Sequence, residues 1–356
     1  MTESRIRRVV VALLATIVLG AVPASGATPL KIYAVHSYPD APWSRDIEAG
    51  VRSWLAHKRL DFSLTAHRYL NYRKQLVSKD AQRKEVDNLL SAVAKENPDF
   101  ILVSDDEAIM AYLPALYATG HKIVFTGVNR GADQIPDLER YRDRVTGVFE
   151  RYPIDHSLKL LRDLAGPKAG GSIAVITSRS DSSLAIAAEV ERYFASRDGI
   201  GAAGFTLRKM YRLGTWREWQ KAIEEINHIA DAVWILVPFS VKDSALRNVP
   251  LLKMGEWLLP HIKVPSLSLV DLRQHYGSMA SMSVTPQSLG EGAARLMTAN
   301  VLDAKPVSKL PPVVLDRCEM VINIDHTDAV GLQIPIEILE YATAVRTTSS
   351  RDGAKP

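Results

Sequence analysis

A single cysteine, Cys318, stands among 356 residues, which excludes a disulfide framework even in a compartment that would permit one. Neither sign of charge dominates. The 44 Lys and Arg against 40 Asp and Glu leave +4, and the N-terminal Arg5, Arg7 and Arg8 against Glu3 account for half of that, so the rest of the chain carries about +2. No basic face for nucleic acid is implied. The apolar run Val9–Val22 falls short of the roughly 20 residues that span a bilayer. No H-E-x-x-H pair organises the nine histidines, and no G-x-S-x-G elbow occurs, so neither a zinc peptidase nor an elbow-type hydrolase is expected.

What is present begins with an N-terminus of secretory type. Arg5-Ile6-Arg7-Arg8, then Val9–Val22, then Pro23-Ala24-Ser25-Gly26-Ala27 follow the charged, apolar and small-residue order of a signal peptide. Residues 1–27 are therefore expected to be removed after Ala27, with Gly26 the alternative. Arg7-Arg8 lacks a full twin-arginine motif, so ordinary secretion is expected. With no cysteine after the leader to carry a lipid, the mature chain should be free in the periplasm.

Val- and Ile-rich runs then alternate with amphipathic stretches, the pattern of βα units around a parallel sheet. Strands are predicted at Lys31–Val35, near Ser63–Arg68, and at Phe100–Val103, Lys122–Phe125 and Val145–Phe149. Between them lie helices over about 43–57, 81–96 and 107–119. After a break at Gly166-Pro167 and Gly170-Gly171 the alternation restarts with strands at Ser172–Ile176, Phe205–Met210, Ala232–Val237 and Val264–Leu267. The helices of this second series run over about 182–196 and 216–229, with another ending near Leu259. Two consecutive series mean two similar lobes. One helix (Gln287–Leu302), a Pro-rich stretch (Lys305–Pro312) and one long strand (Val313–Ile324) cannot enclose a third core and must return to the earlier two. The polar residues 346–356 are predicted to be a disordered tail.

In open parallel sheets ligands bind beyond the carboxyl ends of the strands, where helix N-termini present free N–H groups. Those ends hold hydroxyls, amides and aromatics, which suit a small polar organic ligand with a flat part. The candidate contacts are Ser37, Tyr38, Ser104, Asp105 and Asn129 in the first lobe and Ser178, Asp181 and Phe239 in the second. Asp105-Asp106-Glu107 is the densest acidic group. It is read as the start of a helix, capped by Ser104 or Asp105, rather than as a cation site. Ser180–Ser183 is likewise read as a cap that can also hold an anion. Ser37 beside His36 invites a hydrolase reading, but neighbours on a strand point to opposite faces. Trp216 and Trp219, three apart on a helix, are expected in packing. No metal, cofactor or catalytic residue is expected.

The chain resembles the ABC-transporter substrate-binding proteins of the type I periplasmic-binding fold, in the branch that holds uncharacterised and aromatic-amino-acid binders. The resembling stretches are His36-Ser37-Tyr38-Pro39 with Pro42-Trp43, Phe100–Asp106, Ile123–Asn129, Val145–Val148 and Val237-Pro238. They continue with Ser288-Leu289-Gly290, Leu302–Pro306, Val321-Ile322-Asn323 and Gly331–Pro335. The resemblance implies an α/β fold of two Rossmann-like lobes with parallel sheets, joined by a three-segment hinge near Val148–Tyr152, Val284–Gln287 and Leu310–Val313. Lobe one is then 28–148 plus 287–310, and lobe two 151–284 plus 313–345. It also implies a non-enzymatic monomer that captures a small ligand, amino-acid-like by analogy, and delivers it to the membrane permease of an ABC importer. His36–Trp43 resembles as well the sensory ectodomains of two-component kinases, which makes a ligand sensor signalling to a sensor kinase the alternative, with an exported hydrolase behind it. A repressor of this fold would need a DNA-reading helix pair where the leader stands.

Overall fold

Strands that are apolar on both faces need helices on both faces, and the chain meets that need twice. The computed structural model describes residues 28–38, 42–68, 79–166, 171–271, 277–315 and 318–345. The first series is β1 (Leu30–His36), α1 (Pro42–His57), β2 (Phe62–Arg68), α2 (Lys79–Glu96), β3 (Phe100–Ser104), α3 (Asp105–Ala118), β4 (Lys122–Val128) and β5 (Val145–Glu150). The second is α4 (Ile154–Ala165), β6 (Ser172–Thr177), α5 (Asp181–Ala195), β7 (Thr206–Arg212), α6 (Trp216–Ile229), β8 (Ala232–Ile235), α7 (Leu251–His261), β9 (Ser266–Ser268) and β10 (Ala280–Val284). The return comprises α8 (Pro286–Val301), β11 (Val313–Leu315), β12 (Cys318–Asn323), α9 (Ile324–Ala329), α10 (Ile336–Leu339) and β13 (Thr343–Val345).

The two sheets share one plan. Their orders are β2-β1-β3-β4-β5-β11 and β7-β6-β8-β9-β10-β12-β13, with every pairing parallel except β10 with β12. Each therefore reverses winding beside its first strand, between β1 and β3 and between β6 and β8, and leaves a crevice at the carboxyl ends there.

Alternation along the strands divides each core in two. In the first lobe Val35, Val103 and Phe125 pack under α2 and α3 with Val93, Ile109 and Leu113. Ala34, Leu102 and Val124 face α1 and α8 through Val51, Leu55, Leu289 and Met297. In the second, Val175, Trp234 and Leu267 meet Leu161 of α4 and Val190 of α5, while Ile176 and Ile235 meet Trp219 and Ile223 of α6 and Leu258 of α7. Trp219 is thus core, and Trp216 stacks edge-on against Trp257 with centroids 5.3 Å apart.

Helix α8 returns to the first lobe through a backbone-close crossing. A Cβ at Gly290 would lie 1.9 Å from the Ile47 carbonyl oxygen, and one at Gly50 would lie 2.0 Å from that of Gln287. Only glycine lets α1 and α8 approach this closely.

One expectation changes, and two features go beyond what the pattern assigned. Val313–Ile324 is two strands rather than one: β11 pairs with Val148–Glu150 of β5 in the first sheet, and β12 pairs with β10 in the second. Residues 313–315 therefore belong with lobe one, and the third crossing follows Leu315 instead of lying at Leu310–Val313. The reason is that β5 offers an open edge, and Leu310 is already tied to lobe one, its carbonyl accepting from Thr146 Oγ1 at 2.7 Å. Next, β10 is a fully buried strand that the apolar pattern does not announce, because Ser281 and Ser283 interrupt it. Finally, the segment after β8 is loop as far as Pro250, and α7 starts only at Leu251. The signal peptide, 1–27, and the tail, 346–356, lie outside the described residues.

Candidate functional site

At the reversal of the first sheet, β1 and β3 end side by side, with His36 in register with Ser104. The chain turns directly from β3 into α3, and Asp105 takes a left-handed φ of 70°, a region that Asp tolerates better than most residues. Ser104 occupies the N-cap position but makes no side-chain cap bond. The cap comes from the neighbouring strand. Ala108 N–H donates to Ser37 Oγ at 2.8 Å, and Ser37 Oγ donates to the Ser104 carbonyl at 2.9 Å. Capping by Ser104 or Asp105, expected from the sequence, is replaced by capping from Ser37, which leaves the Ser104 hydroxyl available to its other neighbours.

Those neighbours form a buried polar chain. Ser104 Oγ is 2.7 Å from His36 Nδ1 and 3.1 Å from Asp105 Oδ2. His36 Nε2 is 3.2 Å from Glu48 Oε1 on α1, and Arg52 Nη2 lies 3.5 Å from Glu48 Oε2. At the other end Trp43 Nε1 donates to Asp105 Oδ1 at 2.9 Å. Gly127 makes room for this carboxylate: a Cβ there would sit 3.1 Å from Asp105 Oδ1. Serine, histidine and glutamate in this order echo a nucleophile, base and acid. Ser104, however, has no exposed surface, so no substrate atom reaches it. Ser37, the serine beside the histidine in sequence, is spent on the α3 cap.

Asp106 accepts the backbone N–H groups of Asn129 (3.2 Å) and Arg130 (3.0 Å). The same loop is held from its carbonyl side by Arg151, which donates to Val128 O (3.2 Å), Asn129 O (3.1 Å), Glu150 O (2.6 Å) and Arg130 O (3.0 Å). Asn129 Nδ2 donates to Glu150 Oε2 at 3.4 Å, and Asn129 Oδ1 has no partner among the described residues. Tyr38 Oη donates to Glu107 at 3.3 Å, and 37 % of the residue remains exposed.

Acids crowd this wall, and their protonation follows. Burial pushes the Asp105 carboxyl well above its ordinary range, a rise opposed by the Trp43 bond and reinforced by the charges of Glu107 and Glu150. Burial likewise lifts Glu150 to about 8, opposed by the Tyr152 hydroxyl and aided by the Asp106 charge. The Tyr38 hydroxyl is raised as well. Desolvation is the larger cause, and Asp105, Glu107 and Asp106 add to it.

The second lobe presents a hydroxyl-lined counterpart. Ser178 N–H donates to Val237 O at 2.9 Å, joining the ends of β6 and β8, and Ser178 Oγ is 2.7 Å from Ser183 Oγ. Ser180 caps α5 by accepting from Ser183 N–H, as expected. Asp181 is the first residue of α5, and its side chain lies outside the described residues. Phe239 stands after β8 with 41 % of its surface exposed.

Of the eight expected contacts, Tyr38 and Phe239 therefore show aromatic surface, one from each lobe. Asn129 is half-buried, Asp105 nearly closed off, and Ser37, Ser104 and Ser178 lie inside the walls. Sequence reasoning placed His36 at a strand end without choosing it as a contact, and did not identify Glu48, Trp43, Glu150 or Arg151 as part of this wall. The sole cue was that polar residues end or follow otherwise apolar strands. Among the described residues, no group of three or more His, Cys, Asp or Glu could hold a metal ion, and no helix is long and apolar enough to cross a membrane. A groove of about 340 Å³ lies elsewhere, between α8 and β11, lined by Ser288, Glu291, Arg295 and Val313 among others.

A family model described as ABC transporter substrate binding protein matches residues 73–346. No curated protein matches the chain by sequence. Among solved structures, the ligand-free, open form of CD0873, a substrate binding protein with adhesive properties from Clostridium difficile, is 18% identical, with 89% of this chain and 99% of that one covered at a TM-score of 0.64. An ABC domain from Streptococcus pneumonia in complex with L-Trp is also 18% identical, covering 89% and 100% at 0.62. A conserved domain protein from Vibrio cholerae is 19% identical, covering 89% and 99% at 0.59. At such identities the likeness establishes the fold, which is type I periplasmic-binding-protein-like.

Proposed function

Because the chain belongs to the ABC transporter substrate-binding protein family, we propose that it captures one small polar organic solute between its lobes in the periplasm and presents the closed form to the permease of an ABC importer. The observation that carries this reading is the matched pair of walls. Two sheets of the same strand order each end, at their reversal, in a polar wall edged by one exposed aromatic, Tyr38 and Phe239. Such faces suit a ligand with a flat part held between rings and polar groups held by Asp105 and Asn129 on one side and by Asp181 and the N–H groups of α5, which Ser178 braces from inside the wall, on the other. Ser37 and Ser104 act one step back, by fixing the N-terminus of α3 and the Asp105 carboxyl.

Closure follows from differential contact, since a ligand that touches both walls favours the closed state only by the contacts absent from the open one. Moving the lobes from mostly open to mostly closed takes about 5.5 kcal/mol of such preference, within reach of two aromatic contacts and several hydrogen bonds. The L-Trp complex of the Streptococcus structure makes amino acids the first compounds to screen. Small molecules released from the purified protein should be identified by mass spectrometry and retitrated. Binding of one per chain is expected, together with at least a tenfold loss in Phe239→Ala and in Asn129→Ala. Full affinity in both variants, or chemical conversion of the bound solute, would sink the proposal.

A further inference from the structure

The polar chain behind the first wall is over-determined in protons. Ser104 Oγ carries one hydrogen and has two close neighbours, His36 Nδ1 at 2.7 Å and Asp105 Oδ2 at 3.1 Å. It donates to one and must accept from the other. The contact of 3.2 Å between His36 Nε2 and Glu48 Oε1 also needs one hydrogen between its atoms. Arg52, 3.5 Å from the other oxygen of Glu48, favours the ionised carboxylate, so that hydrogen belongs to Nε2. Two arrangements satisfy every atom. In one, Asp105 is a carboxylic acid donating to Ser104, Ser104 donates to Nδ1, and His36 is neutral. In the other, Nδ1–H donates to Ser104, Ser104 donates to an ionised Asp105, and His36 is an imidazolium against Glu48.

We propose that Asp105 and His36 share a single proton through Ser104, so that the cleft carboxyl becomes charged by passing its proton inward to His36 instead of to solvent. The step balances within the chain. The O–H bond of Asp105 breaks as a hydrogen bonds to Ser104 Oγ, the original Ser104 O–H breaks, and the lone pair of Nδ1 takes that hydrogen. The carboxylate keeps the electron pair of its broken bond, and Glu48 accepts from Nε2–H throughout. Burial of both partners supports the relay, since His36 and Ser104 have no exposed surface and Asp105 only 5 %. A proton there has no direct exit.

The surrounding groups are otherwise committed. Trp43 donates to Asp105 Oδ1 but can accept nothing. Asp106 holds the Asn129 and Arg130 amides, Glu107 accepts from Tyr38, Glu150 accepts from Asn129, and Ser37 is engaged with α3. Burial raises the Asp105 carboxyl well above its ordinary range, which favours keeping the shared proton inside the pair. The use of the relay rests on the solute-binding reading: a ligand donor arriving at Asp105 would meet a carboxylate formed without net proton release. His36 then acts as a positioning residue and touches no ligand.

The relay can be tested in the ligand-free full chain, so its failure is distinct from failure of the transport reading. Protein labelled with ¹⁵N-histidine and ¹³C-aspartate is titrated from pH 5 to 9 by NMR, with His36 assigned by its absence in His36→Gln and Asp105 by its absence in Asp105→Asn. In the wild type every titration step seen on the Asp105 carboxyl should be seen on the His36 ring as well, because protons leave the pair and not either group. In Ser104→Ala, which removes the bridging oxygen, each step should appear on one group alone. In Asp105→Asn the amide N–H takes the place of the acid proton, so the neutral His36 ring should carry its hydrogen on Nε2. A step confined to one group in the wild type, or steps still common to both in Ser104→Ala, would overturn the relay. Should Asp105→Asn fail to fold, these two measurements decide the question.

Discussion

Replacing Gly290 by alanine isolates the contact that returns α8 to the first lobe. The added Cβ would stand 1.9 Å from the Ile47 carbonyl oxygen, whereas ordinary van der Waals contact is ~3.5 Å, so α1 and α8 must part by more than 1 Å. That gap forfeits a quarter to a half of the dispersion well for each facing pair, and the affected pairs lie among Ile47, Val51, Leu55, Leu289, Ala293 and Met297. Overpacking of this kind costs ~1–3 kcal/mol. A clash with backbone, which cannot rotate away, belongs at the upper end of that range, and alanine returns about 1 kcal/mol through its better helix propensity, so the net loss should be about 2 kcal/mol, or roughly 4–8 °C in Tm for lobes of this size.

Gly292, two residues on, is the internal control. Its Cβ would meet only the Val148 side chain, with Cγ2 nearest at 3.2 Å, a methyl that can yield by a few tenths of an ångström, so Gly292→Ala should melt near the wild type. Thermal unfolding followed by circular dichroism measures both. Gly290→Ala melting as high as Gly292→Ala would refute the argument that backbone proximity, rather than small size in general, selects glycine at this crossing.

Other outcomes follow from the buried titrating groups and the hinge. Glu150 is raised from 4.5 to about 8, so the folded state binds more protons than the unfolded one between these values and stability falls as pH rises through that window. Glu150→Gln removes the liability, and its unfolding free energy from denaturant titration should gain on the wild type between pH 5 and pH 8 by an amount on the order of a few kcal/mol. A constant gap would refute this. His326 is depressed from 6.5 to about 4, by burial and then by Lys263, so the unfolded state binds the extra proton and stability is lost as pH falls from 6.5 towards 4. His326→Leu should flatten that acid limb by up to about 3 kcal/mol, and an unchanged limb would assign it to other groups. Arg151→Ala frees the carbonyls of Val128, Asn129 and Arg130. It should weaken solute binding at least tenfold in calorimetry while far-UV circular dichroism stays unchanged; undiminished affinity would remove Arg151 from the site.

The lobes were legible because their signal is local. Phe100–Val103 is apolar on both faces and lies between helical stretches, and only a doubly covered parallel strand satisfies that pattern. Where the pattern failed, a tertiary constraint had replaced a local one. β10 alternates Ala, Met and Val with Ser281 and Ser283, so its strand character comes from the neighbours β9 and β12 rather than from its own hydrophobicity. Val313–Leu315 reads as the start of a longer strand, yet an open edge on β5 captures it first. Neither neighbour is visible to a window moved along the chain.

The site was less legible than the fold for a related reason. Knowing that ligands gather at strand ends was enough to point to Ser37, Ser104 and Asp105, but not to say which of them faces outward. That division depends on partners far away in sequence. Ser37 is drawn inward by an amide of α3, 71 positions on, and Ser104 by His36, 68 positions before it. Adjacent residues then take unlike roles: Ser37 becomes scaffold while Tyr38 keeps an exposed ring, and Ser104 becomes a proton bridge while Asp105 turns its carboxyl towards Trp43. The sequence pair His36-Ser37 suggested a base with its nucleophile. Folding pairs the histidine with the other serine and closes both off from solvent, so the arrangement that would have made a hydrolase instead governs the charge of the wall.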